Sequence, residues 1–543
     1  MACVLAAVGG LAAAGSGLED SESRSRAPQP PKGSAEVDGD TLTMAFARRP
    51  RSLDPAFATD RTSANLVLNL MDPLVRLGPL LDPVPGLARR WTISTDGLRI
   101  RFFLRPEARW RNGDQVTADD VEFAWKRVLS PDLGSPLAEQ LFAIKGAAAY
   151  HRCRIGCSAL ADAVGVDAVG RYSFVVRLAV PQPWFVASLA RPAFLPVPRA
   201  AVLRYGDEWT KPGQIVTDGP FALAGLTESG VSLVKSPRWR AAATVDVARV
   251  EGLFIPDGVA RVQAFDEGRV RALDGAPLPA TDLLALEERR EFEAYPSLAA
   301  WQVAFNLAAI TDSHQRRAMA AAIDRRRLVE NVTPGGETPA TRFVPAGLEA
   351  AGRTAPPSPW LPAEGDLDEA KAELDEAETV KDEITLVYVD APGNRGVALA
   401  LRDAWRGLGI TTTVRSSPPA DYMDFSGRLG PDSVDVYQLD VPLTVPDAGP
   451  ALDVWTCDSL RNKTNFCNGA YDRLIERAHV EPDQAARSAL YAEADLVLSG
   501  TAGQMPGIPL LWPAYSNLES LSLRDTFAIN PLGQIDLAAV RIN

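Results

Sequence analysis

The feature that most constrains the fold is an alternation of strand and helix patterns in the C-terminal half of the chain. ITLVYVD (384–390), ITTTVRSS (410–417) and VDVYQLDV (434–441) are short runs rich in β-branched residues, which favour strands. VALALRDAWRGLG (397–409), with apolar residues at helical spacing, separates the first two strands, and ADYMDFSGRL (420–429) separates the last two. Strands that alternate with helices in this way are typical of a parallel α/β layer.

The length of the chain, 543 residues, exceeds what a single hydrophobic core supports, so two or three domains are expected. In the N-terminal half, residues 91–105 and 221–236 have the pattern of β-hairpins, and residues 171–179 alternate like a further strand. The net charge of −13 argues against nucleic acid, and against an anionic membrane surface, as the main partner.

Three carboxylates, Asp119, Asp120 and Glu122, stand close together in WRNGDQVTADDVEFAWKRV (110–128). Thr117 with Asp120 three residues later matches a capping box, and acids are favoured in the first turns of a helix by its dipole. The positions behind them repeat at helical spacing and predict a buried stripe: Val121, Ala124, Trp125, Val128 and Leu129. We therefore interpret the acids as the start of a helix and not as a catalytic pair.

The N-terminus has the pattern of an exported protein. Residues 1–17 form a signal-like apolar segment that is too short to span a bilayer, and residues 18–40 are polar and rich in Pro, Ser and Gly, which predicts a disordered tether. Two interpretations of Cys3 stay open: it is the lipidated cysteine of a lipoprotein, or the true start lies upstream and Cys3 belongs to the signal segment.

The other four cysteines form two local pairs in polar, turn-like segments, Cys153 with Cys157 and Cys457 with Cys467. This arrangement predicts two short-loop disulfides and an oxidising compartment, with four unrelated thiols as the alternative.

The chain lacks the common signatures of catalysis. It contains no GxSxG, HExxH or GxxxxGK[ST] pattern. Its three histidines are His151, His314 and His479, none in a pocket-like pattern, and the last two are expected to be exposed near helix ends. The Arg325–Arg327 run is expected to be a solvated helix end. We predict no catalytic residues, no cofactor and no metal bound by protein ligands.

Two segments carry a resemblance to a known family: PGLARRW (85–91) and FFLRPEARWRNGDQVTADDVEFAWKRVLSP (102–131). These segments closely resemble the extracellular solute-binding proteins of the peptide/nickel class, the family 5 receptors of ABC importers. Further family-like segments follow at family-like spacing: RSLDPAFATD (51–60), IKGAAAY (144–150), GDEWTKPGQIVTDGPFAL (206–223), VAFNLAAITDSHQRRAMAAAIDRRRLV (303–329), NFCNGAYDRLIERA (465–478) and LYAEADLVLSGTAGQMPGIPLLWPAY (490–515).

The resemblance implies an α/β fold: a two-lobed periplasmic-binding-protein type II clamp, similar to cluster C, with an extra third domain beside lobe I. Carried onto this chain, lobe I comprises 41–72, 199–298 and 516–543. The additional domain is 73–198, and lobe II is 299–515. A ligand would be held between the two lobes.

The resemblance also implies that the ligand is held largely by backbone groups. The residues at the family's ligand positions are Thr59, Asp60, Arg61, Trp301, Gln302, Tyr437, Asp440, Val441 and Thr444. Many relatives carry the pattern W-x-x-D-Y-x-D-P in the loop that corresponds to the one after VDVYQLDV (434–441). The first Asp of this pattern pairs with the α-ammonium of a bound peptide. Here Val441 replaces the Trp and Thr444 replaces that Asp, which predicts an altered ligand, because a buried ammonium needs a charged partner. Asp440 or Asp447 would supply the charge if the loop shifts.

The implied function is that of the substrate-binding component of an ABC importer, which captures a peptide or peptide-like ligand and delivers it to the permease. The expected partners are a small-molecule or peptide ligand and the transmembrane permease subunits. The protein is expected to be an exported monomer of the cell envelope and not an enzyme. The alternative is a ligand-sensing or scaffold protein of the same fold with a diverged pocket and no transport role.

Overall fold

The computed structural model describes residues 40–345, 347–350, 361–391, 393–418 and 433–542. The predicted signal-like segment with Cys3, the tether up to residue 39 and the helix predicted at 420–429 lie outside these ranges. In the described ranges, no helix is both long and apolar enough to cross a bilayer.

The strands of the described chain form three larger sheets and two two-stranded ribbons. In chain order they are β1 Thr41–Phe46, β2 Val75–Leu77, β3 Pro83–Pro85, β4 Ala88–Ile93, β5 Arg99–Leu104, β6 Val166–Gly170, β7 Ser173–Arg177, β8 Phe221–Leu226, β9 Gly230–Lys235, β10 Arg249–Phe254, β11 Ala272–Leu273, β12 Phe292–Pro296, β13 Ala299–Phe305, β14 Thr338–Pro339, β15 Glu383–Val389, β16 Thr411–Ser417, β17 Val436–Pro442, β18 Gly507–Trp512 and β19 Ala514–Leu518.

The α-helices connect these strands and cover the sheets. In chain order they are α1 Arg61–Leu70, α2 Ala118–Leu129, α3 Ala147–His151, α4 Ser158–Asp162, α5 Phe185–Ser188, α6 Arg199–Tyr205, α7 Gly258–Asp266, α8 Leu283–Glu287, α9 Ser313–Ala321, α10 Arg325–Asn331, α11 Gly347–Ala350, α12 Leu367–Asp375, α13 Asn394–Arg406, α14 Gly449–Leu452, α15 Gly469–Val480 and α16 Gln484–Ser499.

A five-stranded sheet is assembled in the order β11-β1-β10-β9-β8. The N-terminal strand β1 runs parallel to both neighbours, β10 and β11, whereas β8, β9 and β10 are antiparallel. The hairpin predicted at 221–236 is confirmed as β8 and β9.

A four-stranded antiparallel sheet, in the order β4-β5-β7-β6, confirms the hairpin predicted at 91–105 and the strand predicted at 171–179. Helix α2 packs against it with Trp125 fully buried, and the ring of Trp125 contacts Phe174, Phe185 and Phe194 edge-on. The apolar core of this sheet is continuous with that of the five-stranded sheet. The two sheets therefore share a core.

A six-stranded sheet has the order β14-β18-β13-β17-β15-β16. The predicted parallel layer is present in β15, β16 and β17, and α13 lies between β15 and β16 as expected. The sheet is mixed, because β13 pairs antiparallel with both β17 and β18.

Two chain crossings join the six-stranded sheet to the rest of the molecule. Strand β12 runs on into β13 and β18 runs on into β19, with breaks at residues 297–298 and at Pro513. Because β12 pairs with β19 and β13 pairs with β18, the two crossings form one antiparallel ribbon. Ala272 of β11 bridges to Glu519, so the ribbon also touches the edge of the five-stranded sheet.

The Arg325–Arg327 run departs from its prediction. Arg325 is fully buried and its guanidinium donates to the backbone carbonyls of Pro509, Ala320, Ile323 and Pro362. The chain bends between α9 and α10, which turns the first arginine of the run into the interior. Only the other two arginines lie at the surface.

The two histidines predicted to be exposed are instead half-buried beside carboxylates. Nδ1 of His314 lies 2.9 Å from Oε2 of Glu373, and Nε2 of His479 lies 2.8 Å from Oδ1 of Asp453. Helix packing brings these acids from other parts of the chain, which local pattern does not reveal.

The start of α2 is capped as predicted. The backbone N–H and the hydroxyl of Thr117 both donate to Oδ2 of Asp120, at 2.9 and 3.0 Å. The buried carboxylate of Asp120 also accepts from the backbone N–H of Arg199, which ties α2 to α6, while Asp119 is exposed.

We expect Asp120→Ala to lower the free energy of unfolding by about 1–2 kcal/mol, because it removes the cap and leaves buried donors unpaired. Thermal melting followed by circular dichroism measures the change. Asp119→Ala is the matched control, and equal melting temperatures for the two variants would contradict this role for Asp120.

The ribbon carries a buried acid at the end of β19. Glu519 is 3% exposed and accepts hydrogen bonds from the Tyr295 hydroxyl at 2.7 Å and from the Asn517 side chain at 3.3 Å. Burial raises the pKa of Glu519 to about 7. The folded state therefore binds this proton more tightly than the unfolded state does.

Stability should fall as the pH rises through the folded pKa of Glu519, and the contribution is fully present only below the ordinary glutamate pKa. Glu519→Gln should leave the melting temperature unchanged at pH 4.5 and raise stability at pH 8 by about 1–3 kcal/mol. Thermal melts between these pH values test this. The exposed Glu383→Gln serves as control, and identical pH profiles for wild type and Glu519→Gln would refute the assignment.

Candidate functional site

One edge of the six-stranded sheet collects the ends of several strands. The carboxyl ends of β15, β16, β17 and β18 lie at the same edge, together with the start of β13. Ligands of open α/β sheets bind outside the carboxyl ends of the strands. The ribbon leaves the sheet at this same edge, so the candidate site lies between the six-stranded sheet and the remainder of the molecule.

The strands β13 and β17 bring most of the predicted ligand residues side by side. In their register Trp301 stands opposite Asp440, and Gln302 stands opposite Leu439. Trp301 is half-buried, and Asp440 and Thr444 are exposed.

Three predicted ligand residues have side chains in the interior. Gln302, Tyr437 and Val441 are 1–3% exposed, because alternate residues of a strand point to opposite faces and theirs is packed beneath helices. A ligand could therefore meet these three residues only through their backbone groups in this conformation, and their role in binding stays a prediction.

The predicted residues at the start of α1 have distinct roles. Asp60 is the N-cap, and its carboxylate accepts from the backbone N–H of Ser63 at 3.0 Å. Thr59 is exposed, and the guanidinium of half-buried Arg61 lies 5.1 Å from the centre of the Tyr515 ring. Within the described chain, no carboxylate lies in ion-pair range of Arg61.

Asp447, proposed from the sequence as a substitute acid, is already paired. It is 4% exposed, and it accepts from Nε of Arg487 at 3.2 Å and from the backbone N–H of Gly449 at 3.0 Å. Because both members of this ion pair are buried, Asp447 is not available to a ligand ammonium.

Asp440 is the remaining acid at this edge. Its carboxylate accepts from the side-chain amide of Gln438 at 3.0 and 3.2 Å, and Arg461 donates to its backbone carbonyl at 3.4 Å. Desolvation raises the pKa of Asp440 to about 6, so the carboxylate remains mostly charged at neutral pH and becomes protonated in mild acid.

Thr444 makes a contact that the sequence did not predict. Its Oγ1 accepts a hydrogen bond from Nη1 of Arg191 at 3.0 Å, across 253 positions of sequence. Nε of Arg191 donates to the Ser188 carbonyl at 3.3 Å, and the guanidinium lies 5.3 Å from the centre of the Phe194 ring. No local pattern marks Arg191 as a site residue.

Other contacts fix the segment that carries Arg191. The ring of Trp184 meets His479 edge-on with centroids 5.2 Å apart. On the other side, Nε2 of Gln534 donates to the Ala190 carbonyl at 3.1 Å, beside a cavity of about 350 Å³. The segment is therefore held between α15 and the C-terminal part of the chain.

Both cysteine pairs are bonded, Cys153 to Cys157 and Cys457 to Cys467. The second disulfide closes the segment that carries Arg461 next to Asp440. Among the residues that the structure describes, no three His, Cys, Asp or Glu side chains are grouped so that they could hold a metal ion.

Comparisons with known proteins point to one group. Residues 82–458 match the family model "Bacterial extracellular solute-binding proteins, family 5 Middle". The chain is 30% identical to the probable deoxycholate-binding periplasmic protein YgiS of Escherichia coli K12, over 84% of this chain and 85% of that protein. It is also 30% identical to the periplasmic murein peptide-binding protein MppA of the same strain, over 90% of this chain and 91% of that protein.

Solved structures agree on the fold. The unliganded open form of MppA superimposes with a TM-score of 0.81 at 27% identity, covering 93% of this chain and 97% of that one. A second MppA structure gives a TM-score of 0.71 at the same identity, covering 92% and 98%. The fold is the two-lobed α/β clamp that the sequence predicted.

The buried Asp447–Arg487 pair predicts a structural and not a ligand-binding phenotype. Arg487→Met leaves an unpaired buried carboxylate and should lower the free energy of unfolding by about 3–5 kcal/mol, with Asp447→Leu in the same chain restoring part of it. Thermal melting measures both, and exposed Arg477→Met is the control. A normal melting temperature for Arg487→Met would show that the pair is not structural.

Proposed function

Because the chain belongs to family 5 of the bacterial extracellular solute-binding proteins, we propose that it is the substrate-binding component of an ABC importer. It captures a peptide or peptide-like ligand between two lobes and delivers it to the permease subunits. The observation that carries this proposal is the similarity, over nine-tenths of the chain, to receptors named for murein peptides and dipeptides. We propose that the ligand binds at the ribbon edge, beside Trp301, Asp440 and Thr444.

We further propose the division into lobe I (41–72, 199–298, 516–543), an additional domain (73–198) and lobe II (299–515). Three facts support it: the five-stranded sheet is built from strands of the first set, the four-stranded sheet from the second and the six-stranded sheet from the third. The ribbon would act as the hinge, and its bending would close lobe II over the ligand.

The proposed setting is the cell envelope, with the protein working as a monomer. Relatives are named as periplasmic proteins, and the two short-loop disulfides fit an oxidising compartment. An anchor at Cys3 is proposed as one of the two interpretations of the N-terminus. The relatives are binding proteins rather than enzymes.

A second candidate function, a sensor or scaffold with a diverged pocket, is favoured by one observation: Thr444 contacts a cation where an acid was expected. The two functions differ in the need for a permease. Deletion of the adjacent permease genes, if present, would abolish ligand uptake for a transport receptor and leave a sensor's output intact.

Ligand capture is tested with protein purified from its own host without refolding. Native mass spectrometry should show adducts of a few hundred daltons that fragment as peptides, and a peptide pool should reduce the radius of gyration in small-angle X-ray scattering as the lobes close. Protein that binds nothing from the pool and keeps the same radius would contradict a competent peptide receptor.

Trp301 at the ligand edge provides the matched variant. Trp301→Ala should weaken peptide binding by about 10- to 30-fold, the effect of removing a central aromatic contact. Trp91→Ala, also at a half-buried tryptophan but in the four-stranded sheet, should leave binding unchanged. Equal effects of the two substitutions would show that Trp301 does not contact the ligand.

A further inference from the structure

We infer that the group recognised at Arg191 and Thr444 is a carboxylate of the ligand. This inference rests on the proposed function, since it assigns the chemical class of the ligand's anchoring group at that same site. It reverses the charge expected there, where an acid would hold a ligand ammonium.

The first step is the unmet hydrogen-bonding capacity of Arg191. A guanidinium carries five N–H donors. Those of Arg191 reach the Ser188 carbonyl and the exposed hydroxyl of Thr444, and no other acceptor within the described chain. The other N–H donors of Arg191 therefore have no acceptor in the described chain.

The buried arginines of the six-stranded sheet show what a purely structural arginine looks like here. Arg325 donates to four backbone carbonyls, and Arg316 donates to those of Ile310, Thr311, Gln504 and Met505. Each is held by several fixed backbone acceptors, and only Nη2 of Arg325 is left without one among the described residues. Arg191 lacks such an enclosure, so a structural role alone does not account for it.

The second step is charge. In the part of the chain that the structure describes, no carboxylate lies in ion-pair range of Arg191, and Asp447 on the neighbouring loop is bound to Arg487. Desolvation lowers the pKa of Arg191 to about 10, yet it stays charged at neutral pH. A partly buried cation without an anion is unfavourable, and a ligand carboxylate would remove that cost.

A second arginine without an acid partner lies near the same part of the described chain. Arg61 also lacks an acid partner, and a Cβ at Gly533 would lie 3.3 Å from its Cδ. The adjacent Gln534 hydrogen-bonds to Ala190, the neighbour of Arg191. Arg61 and Arg191 thus border the same short segment, residues 533–534.

The geometry suits a carboxylate in particular. A guanidinium binds a carboxylate through two parallel N–H···O bonds, which a neutral oxygen cannot reproduce. While Thr444 accepts from Arg191, its own hydroxyl hydrogen is free to be donated to a ligand oxygen. Arg191 and Thr444 together therefore offer a ligand carboxylate two parallel N–H donors and one O–H donor.

The test uses native mass spectrometry of the whole chain with pooled tripeptides in four forms: unmodified, N-acetylated, C-amidated, and blocked at both ends. A separate pool holds aliphatic mono- and dicarboxylic acids. Forms with a free carboxylate should bind, and C-amidation should weaken binding by about 10- to 100-fold, the range expected for losing a charged hydrogen bond.

Three variants accompany the wild type. Arg191→Met should weaken carboxylate binding by the same factor, and Arg191→Lys, which keeps the charge but loses the fork, by less. Thr444→Asp places an anion against Arg191; it should raise the melting temperature and abolish carboxylate binding. Exposed Arg99→Met is the control and should match the wild type.

The outcomes separate this inference from the proposed function. Arg191-dependent binding of N-acetylated peptides supports both. Arg191-dependent binding of carboxylic acids without any peptide supports the carboxylate site and overturns a peptide ligand. C-amidated peptides that bind as well as unmodified ones overturn the carboxylate site and leave the receptor function standing. Carboxylate binding that survives Arg191→Met, or no carboxylate bound from any pool, also overturns it.

Discussion

The rest of the structure depends on the antiparallel ribbon formed by β12–β13 and β18–β19. Both chain crossings pass through it, and its hydrogen bonds hold them in one register on either side of the breaks at residues 297–298 and Pro513. Because a paired ribbon resists shear but bends where pairing is interrupted, it fixes which edge of the six-stranded sheet faces the other sheets. The loops after β15 and β17 and the start of β13 face the site for this reason.

The charged side chains around that edge differ in whether an opposite charge or a backbone acceptor lies within reach. Arg316 and Arg325 are buried but enclosed by backbone carbonyls, and Asp447 is neutralised by Arg487. Arg61 and Arg191, which have neither an acid partner nor such an enclosure in the described chain, border one short segment near the C-terminus.

Prediction from sequence succeeded where the deciding contacts are local. The capping box of Thr117 and Asp120, the hairpins and the parallel order of β15 and β16 depend on residues close in sequence or on hydrophobic period. It failed where packing sets the outcome. Arg325 was expected in solvent, and His314 and His479 were expected to be exposed. Elements distant in sequence instead bury Arg325 and place a carboxylate beside each histidine.

The sequence by itself determined the family, the exported character expected of it, the local elements and the absence of an acid at Thr444. Only the tertiary structure decided what stands in place of that acid. Arg191 reaches Thr444 across 253 positions because the segment around α5 packs beside α15 and the loop after β17. Such a contact depends on chain closure and on the packing of whole sheets, and residue types or periodicity at either position do not encode it.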